Sequence, residues 1–275
     1  MKHLAVLITL AAVALAVGSL DWSGEAPPSV VGAEEAGVPP PYYLKSLTGA
    51  GSGGANQVSS LTVSCNQPHE AILAGGFASV DEGTHISQNH LAAIDPDGWR
   101  AAWVNNGTVD SVTVRAICFR GNPARETVTI TSSGTANQPT TVEQNCFGTV
   151  LSGGFRSVAD GTTIIESAPQ VDGDWTVTWK NPTVADTIKV SAHCWQSASA
   201  YPRSASKTVG PGEAGSLSLS CNAADIVAGI GFSSIEAGDH LIGARVSSLT
   251  TATISWVNGA STDPTGIRIV CLDVT

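Results

Sequence analysis

Two alternating patterns recur three times along the chain and set its predicted elements. Trp99, Ala101 and Trp103 fall on one side of a period-two segment, as do Trp175, Val177 and Trp179, and again Ala252, Ile254 and Trp256. Thr176 and Thr178, or Thr253 and Ser255, take the other side. Period two with one apolar side predicts a half-buried β-strand. A second segment alternates in the same way: Val112, Val114, Ala116 and Cys118 stand against Thr113 and Arg115, and Ile188, Val190, Ala192 and Cys194 against Lys189, Ser191 and His193. A short loop separates the two, so a Trp strand and a Cys strand are expected to form a β-hairpin. A third kind of segment does not alternate. Ala71-Ile72-Leu73-Ala74, Val150-Leu151 and Ile226-Val227-Ala228 are apolar on both sides, which predicts strands covered on both faces.

Two ungapped motifs accompany these strands in each copy. W-x-N-x4-D-x7-C occurs at Trp103-Asn105-Asp110-Cys118, Trp179-Asn181-Asp186-Cys194 and Trp256-Asn258-Asp263-Cys271. G-F-x-S-[VI]-x-x-G runs from Gly76 to Gly83, Gly154 to Gly161 and Gly231 to Gly238. The order is the same each time and the period is about 76 residues, longer than most repeat arrays. The chain is therefore read as all-β, with three tandem, sandwich-like modules at residues 46–120, 124–197 and 204–275. A lone module of this size cannot cover a strand that is apolar on both faces. The linkers are also short, Phe119 to Arg125 and Trp195 to Arg203. Both facts predict three modules packed about a pseudo-threefold axis, with loosely strung modules as the alternative.

Six cysteines allow 15 pairings. The repeat selects one: Cys65–Cys118, Cys146–Cys194 and Cys221–Cys271, each within its own module. Closing a loop of about fifty residues stabilises a module by ~4 kcal/mol on the chain-entropy model. The N-terminus supports an oxidising destination. Met1-Lys2-His3 precedes an apolar run, Leu4 to Val17, and Ala16-Val17-Gly18 is a cleavage candidate, so residues 1–18 read as a signal peptide. An uncleaved anchor stays open, since Ser19-Leu20 could lengthen the run. Residues 19–45 hold Pro27-Pro28, Glu34-Glu35 and Pro39-Pro40-Pro41 and read as a tether. After leader cleavage no membrane-spanning segment is expected. The net charge of −10, spread along the chain, argues against nucleic acid as a partner.

Candidate chemistry is sparse. Trp103, Trp179 and Trp256 share a side with Ala, Val or Ile and are expected in the core. Trp99 and Trp175 lie nearer the strand start and are replaced by Ala252 in the third copy; the core is the bland reading for them and an open edge, where a ligand could stack, the sharper one. Asn105, Asp110 and their copies bracket a loop and are expected to cap it. Asp95 and Asp97, and Asp172 and Asp174, form D-x-D turns that the third copy lacks; turn-forming is the bland reading and ligand contact the sharper one. His85 matches His240, with Thr163 in the second copy, while His69 and His90 have no counterpart; scattered surface histidines are the expected reading, over a metal or acid–base site. Ser79, Ser157 and Ser234 sit in G-F-x-S with no nucleophile elbow and are expected to satisfy turn backbone. Recognition is therefore expected where the copies disagree: Trp99, Trp175, Asp95, Asp97, Asp172, Asp174 and His85. No catalytic residue, metal site or cofactor is expected.

The order Cys65, Gly75-Gly76, Trp103, Cys118, repeated with Gly229-Ile230-Gly231 as a departure in the third copy, resembles small disulfide-bonded secreted β modules of bacterial surface and adhesin-type proteins. The resemblance implies an extracellular, non-catalytic role and carries no ligand residues. The expected function is binding or adhesion to an extracellular ligand, a glycan or a surface protein. A structural component of an envelope or appendage, with self-association, is the alternative, and a secreted hydrolase a distant third because no catalytic constellation can be assembled.

Overall fold

The structure is a computed structural model and describes residues 42–274, apart from 51–56, 67–69, 82, 93–97, 106–110, 122 and 237. The described residues form strands and no helix. The first repeat gives β1 (Tyr42–Ala50), β2 (Val58–Ser64), β3 (Glu70–Ala78), β4 (His85–Ala92), β5 (Gly98–Val104) and β6 (Ser111–Arg120). The second gives β7 (Arg125–Ser133), β8 (Thr140–Gln144), β9 (Thr149–Arg156), β10 (Thr163–Pro169), β11 (Trp175–Lys180) and β12 (Thr187–Trp195). The third gives β13 (Ala200–Thr208), β14 (Ala214–Ser220), β15 (Ile226–Ser233), β16 (His240–Val246), β17 (Thr251–Val257) and β18 (Pro264–Leu272). β1 starts at Tyr42, ahead of the expected start of the first repeat at residue 46.

The strands assemble into three six-stranded sheets, ordered β1-β6-β3-β16-β17-β14, β13-β18-β15-β10-β11-β8 and β2-β5-β4-β9-β12-β7. Each sheet takes the first, sixth and third strands of one repeat and the fourth, fifth and second of another. The exchange runs cyclically, which gives the pseudo-threefold arrangement. Each repeat is a sandwich of two half-sheets, and its disulfide joins them: Cys65–Cys118, Cys146–Cys194 and Cys221–Cys271. Three such bridges fit an oxidising, extracytoplasmic compartment. Among the described residues no helix is long and apolar enough to cross a membrane.

The Trp and Cys strands do not form the expected hairpin. β5 pairs with β2 and β4, whereas β6 pairs with β1 and β3. The alternation assigned each strand an apolar side correctly. It could not say whether those sides lie next to each other in one sheet or face each other across a core, and the chain uses the second arrangement. The hairpin partner of the Trp strand is the strand before it, as in β10–β11 and β16–β17.

The strands that are apolar on both faces lie nearest the axis. Every residue of β3 is buried. Its neighbour across the seam is β16 of the third repeat, paired at Phe77 and Ala244. The equivalent seams pair Phe155 with Asn89 and Phe232 with Ser167. Glycine is required there. A Cβ on Gly76 would lie 2.0 Å from Ala244 O, one on Gly154 1.9 Å from Asn89 O, and one on Gly231 2.3 Å from Ala168 Cα. Three residues on, Ser79, Ser157 and Ser234 take φ of 64°, 65° and 60°. These serines are exposed, so the position serves through its left-handed backbone, which turns the chain after the seam. The next amide then bonds across the seam: Val80 N to Ile242 O, Val158 N to Ser87 O, Ile235 N to Ile165 O, at 3.0, 3.3 and 3.0 Å.

A second glycine explains the departure of the third repeat. A Cβ on Gly75 would sit 2.1 Å from Trp99 Cγ, and one on Gly153 2.4 Å from Trp175 Cγ. In the third repeat the same two positions are Ile230 and Ala252, both buried. The large residue has changed strands and the filled volume is kept.

Three substitutions test this packing in denaturant melts of the oxidised chain. Trp99→Ala alone should cost roughly 3–5 kcal/mol. Adding Gly75→Ile, which copies the third repeat, should recover part of the loss, with a coupling of about 1 kcal/mol or more. Additive losses would contradict the exchange. Gly154→Ala should destabilise by roughly 3 kcal/mol, because a strand backbone must move.

Candidate functional site

The motif residues Asn181, Asp186 and Asn258 hold loops, whereas Asn105, buried beside residues outside the described set, makes no side-chain hydrogen bond among the described residues. In the second repeat Asn181 Oδ1 accepts the Thr183 and Val184 amides at 2.9 and 3.0 Å, while its Nδ2 donates to Thr162 Oγ1 at 2.7 Å. Thr162 donates in turn to Asp186 Oδ2 at 2.7 Å, which also takes the Ala159 amide at 3.1 Å. The two sequence motifs thus grip each other. In the third repeat Asn258 Oδ1 accepts Trp256 Nε1 and its Nδ2 donates to Val209 O. There the carboxylate has moved: Asp239, at the position of Thr162, accepts the Gly259 and Glu236 amides at 2.8 Å each. Asp263 only receives Ser261 Oγ, and Asp110 lies outside the described residues.

Trp99 and Trp175 lie in the core and not at an open edge, each 1% exposed. Their indole N–H groups are held inside, by Asn89 Oδ1 at 2.7 Å and Ser167 Oγ at 3.2 Å. Neither ring has a face for a ligand. The reason is the glycine opposite each one, which opens a space only an indole fills. Trp195 is half-buried and packs on Phe119 of the first repeat, with ring centroids 5.2 Å apart. Asp95 and Asp97 lie outside the described residues. Asp172 and Asp174 flank a tight turn in which Gly173 has φ of 94°, Gln170 N donates to Asp174 O and Asp174 N reaches Asp172 Oδ1. Asp172 is exposed, and so is its neighbour Val171, at 90%.

His85 belongs to a different place. Phe77, Phe155 and Phe232 converge at the axis with His85, Thr163 and His240 around a cavity of about 210 Å³. The sequence correspondence of these three positions is therefore spatial. Burial lowers the pKa of His85, against the pull of Asp160 and Asp186. Three further polar groups of this cavity are engaged: His240 Nε2 contacts Val80 O at 3.0 Å, and Asp239 and Thr162 hold loops. Its volume is below the usual ligand-site range of roughly 300–1,000 Å³.

A larger opening lies at the outer corner of the second repeat, where edge strands β7 and β8 meet. In the other repeats the corner is closed. Tyr43 donates its hydroxyl to Glu70 and receives Asn66 N at 3.0 Å; Tyr201 donates to Asp225 at 2.6 Å and receives Asn222 N at 3.1 Å. Burial and then Glu70 push the Tyr43 pKa up to about 12. Two residues on, Lys45 and Arg203 reach the carbonyls of Ser64 and Ser220. The strand pairings place Glu126 and Val128 at these positions in the second repeat. Glu126 accepts the Phe147 amide directly at 3.1 Å, and Val128 reaches nothing across the corner by hydrogen bond. The segment after the first cysteine is also shorter here, Phe147-Gly148 ahead of β9. The result is a groove of about 700 Å³ lined by Glu126, Val128, Gln144, Asn145, Cys146 and Phe147 and walled by Asp172–Asp174. Phe147 stands 85% exposed at its rim.

The groove joins two of the expected site residues, Asp172 and Asp174, to others that the strand patterns gave no reason to single out. Comparing Tyr43-x-Lys45 and Tyr201-x-Arg203 with Glu126-x-Val128 was the signal available. Among the described residues no three His, Cys, Asp or Glu side chains are grouped to hold a metal ion. The chain matches no protein-family model, and no curated protein matches it in sequence.

Two buried histidines beside the β4–β9 seam, His90 among them against the surface position expected from the sequence, give the fold a pH dependence. Burial lowers the His90 pKa to about 4, opposed by the Leu91 carbonyl and helped by Arg156 and Arg100. Burial lowers that of His193 to about 3, with His90 and Arg125 adding to it. Unfolded histidine titrates near about 6.5, so below that pH the unfolded chain holds more protons than the folded one. Unfolding free energy should be level above about 6.5 and should fall as the pH drops towards about 4. His90→Gln with His193→Gln should flatten that slope in denaturant titrations at stepped pH. An unchanged slope would remove these side chains as its cause.

Proposed function

We propose that the protein is an extracellular, non-catalytic binding or adhesion protein that recognises its ligand at the groove of the second repeat. The observation that carries this reading is the asymmetry of three otherwise equivalent corners. Two are closed by a tyrosine–acid pair and a cation. The third is open, is of ligand-site volume, and leaves Phe147 and Val171 exposed beside the Asp172–Asp174 turn. An exposed aromatic next to amides and carboxylates offers both contact area and orienting hydrogen bonds. The sheet framework and the disulfides hold these groups in place, as recognition requires. The serines that recur in all copies serve as left-handed turn residues, and Asn181 and Asp186 of the second repeat hold loops. That use of the repeated polar residues supports binding over hydrolysis. Three disulfides support the extracellular placement.

The fluorescently labelled chain on an array of immobilised glycans and peptides should be retained saturably by some members. Phe147→Ala combined with Asp172→Asn should reduce that retention by about tenfold or more. Polymerisation in light scattering, with retention on no member, would instead favour the structural-assembly role.

A further inference from the structure

The first and third repeats carry their own occupant at the corner that is open in the second. Lys45 Nζ donates to Ser64 O at 2.6 Å and to Asn66 Oδ1 at 2.8 Å. The Arg203 guanidinium donates to Ser220 O. Both carbonyls belong to the residue just before the first cysteine of the repeat. The second repeat keeps this carbonyl, at Asn145, but Val128 stands where the cation would start. Asn145 O receives only a neutral donor, Gln144 Nε2, at 2.7 Å.

The charge around the groove matches what is missing. Its lining includes Glu126, Asp172 and Asp174 and no lysine or arginine. Carboxylates at the walls of a half-enclosed groove favour a cation there, because the local dielectric is lower than that of water. The adjoining backbone is also unspent. β7 pairs with β12 alone among the described strands and ends its sheet, so alternate N–H and C=O groups along residues 126–133 lack strand partners on the outer side. Its corner-facing side chains continue the groove with Val128 and with Ile130, which is 42% exposed. The corresponding edge of the third repeat carries Pro202 and Lys207, residues that discourage strand addition.

We propose that this corner receives a lysine or arginine side chain presented by an extended polypeptide segment of a partner protein. The segment adds to the β7 edge and places its cation where Lys45 and Arg203 sit in the sister repeats. The proposal rests on the reading of the groove as the recognition site and names its ligand class. A polypeptide fits better than an amine-bearing glycan, because only a strand matches the spacing of free N–H and C=O groups while setting alternate side chains against Val128 and Ile130.

Calorimetric titration of the full chain with the acetylated amide Val-Thr-Lys-Thr-Val, which sets both valines on the lysine's strand face, tests it, beside the same peptide with Gln for Lys and a glucosamine hexamer. The lysine peptide should bind saturably, and the glutamine peptide about tenfold more weakly or less. Val128→Lys rebuilds the cation of the sister repeats and should weaken the lysine peptide by about tenfold or more. Val184→Lys, the same charge change at an exposed loop position, should leave affinity within about twofold. Equal binding of both peptides, still blocked by Val128→Lys, would overturn the cationic class and leave the groove as a recognition site. Peptide binding that Val128→Lys does not alter would overturn the site itself. Binding of the glucosamine hexamer without the peptide would overturn the polypeptide occupant, and no saturable peptide binding at millimolar concentration would overturn the proposal.

Discussion

At three seams, strands of different repeats approach so closely that a β-carbon cannot be placed between them. A Cβ on Gly76, Gly154 or Gly231 would lie 2.0, 1.9 or 2.3 Å from a neighbouring backbone atom, far inside van der Waals contact. The phenylalanine after each glycine then fills the axis, and the left-handed serine turns the chain out of the seam. The amide that follows bonds across to the next repeat. The cyclic exchange of half-sheets depends on this approach. Without it the strands that are apolar on both faces would be exposed, and no single repeat has enough surface to cover them.

Inside each sandwich the constraint is volume. Trp99 and Trp175 fill spaces made by Gly75 and Gly153, whereas Ile230 and Ala252 divide the same space the other way. Close packing penalises both a void and an overlap, so the two positions change together. The same reasoning applies at the loops, where a carboxylate is needed once. The second repeat supplies it from Asp186 and the third from Asp239. Three copies of one framework thus reach equivalent solutions with different residues.

At the outer corners the copies are not equivalent, and a binding role can arise there without cost to the framework. The edge strands are joined across the corner by a tyrosine and a cation in two repeats. In the second repeat Glu126 and Val128 leave the strands held by their own sheets and by the disulfide, with the groove open between them. The Asp172–Asp174 turn forms its wall because it joins the hairpin strands β10 and β11, of which β11 pairs with β8.

The sequence alone determined three of the six strands of each repeat (β3, β5, β6 and their copies), their buried sides, the three repeats, the pairing of Cys65 with Cys118 and its copies, and the need for packing about an axis. Those properties follow from local alternation and from recurrence along one chain. Tertiary structure decided what lies opposite each strand. It set the Trp and Cys strands across a core from each other, because alternation names a side and not a partner. It buried Trp99 and Trp175, because the glycine that makes room for each comes from a strand far away in sequence. It also gathered Glu126, Phe147 and Asp172 around one groove. Their proximity depends on how two sheets meet at a corner, which no local pattern encodes.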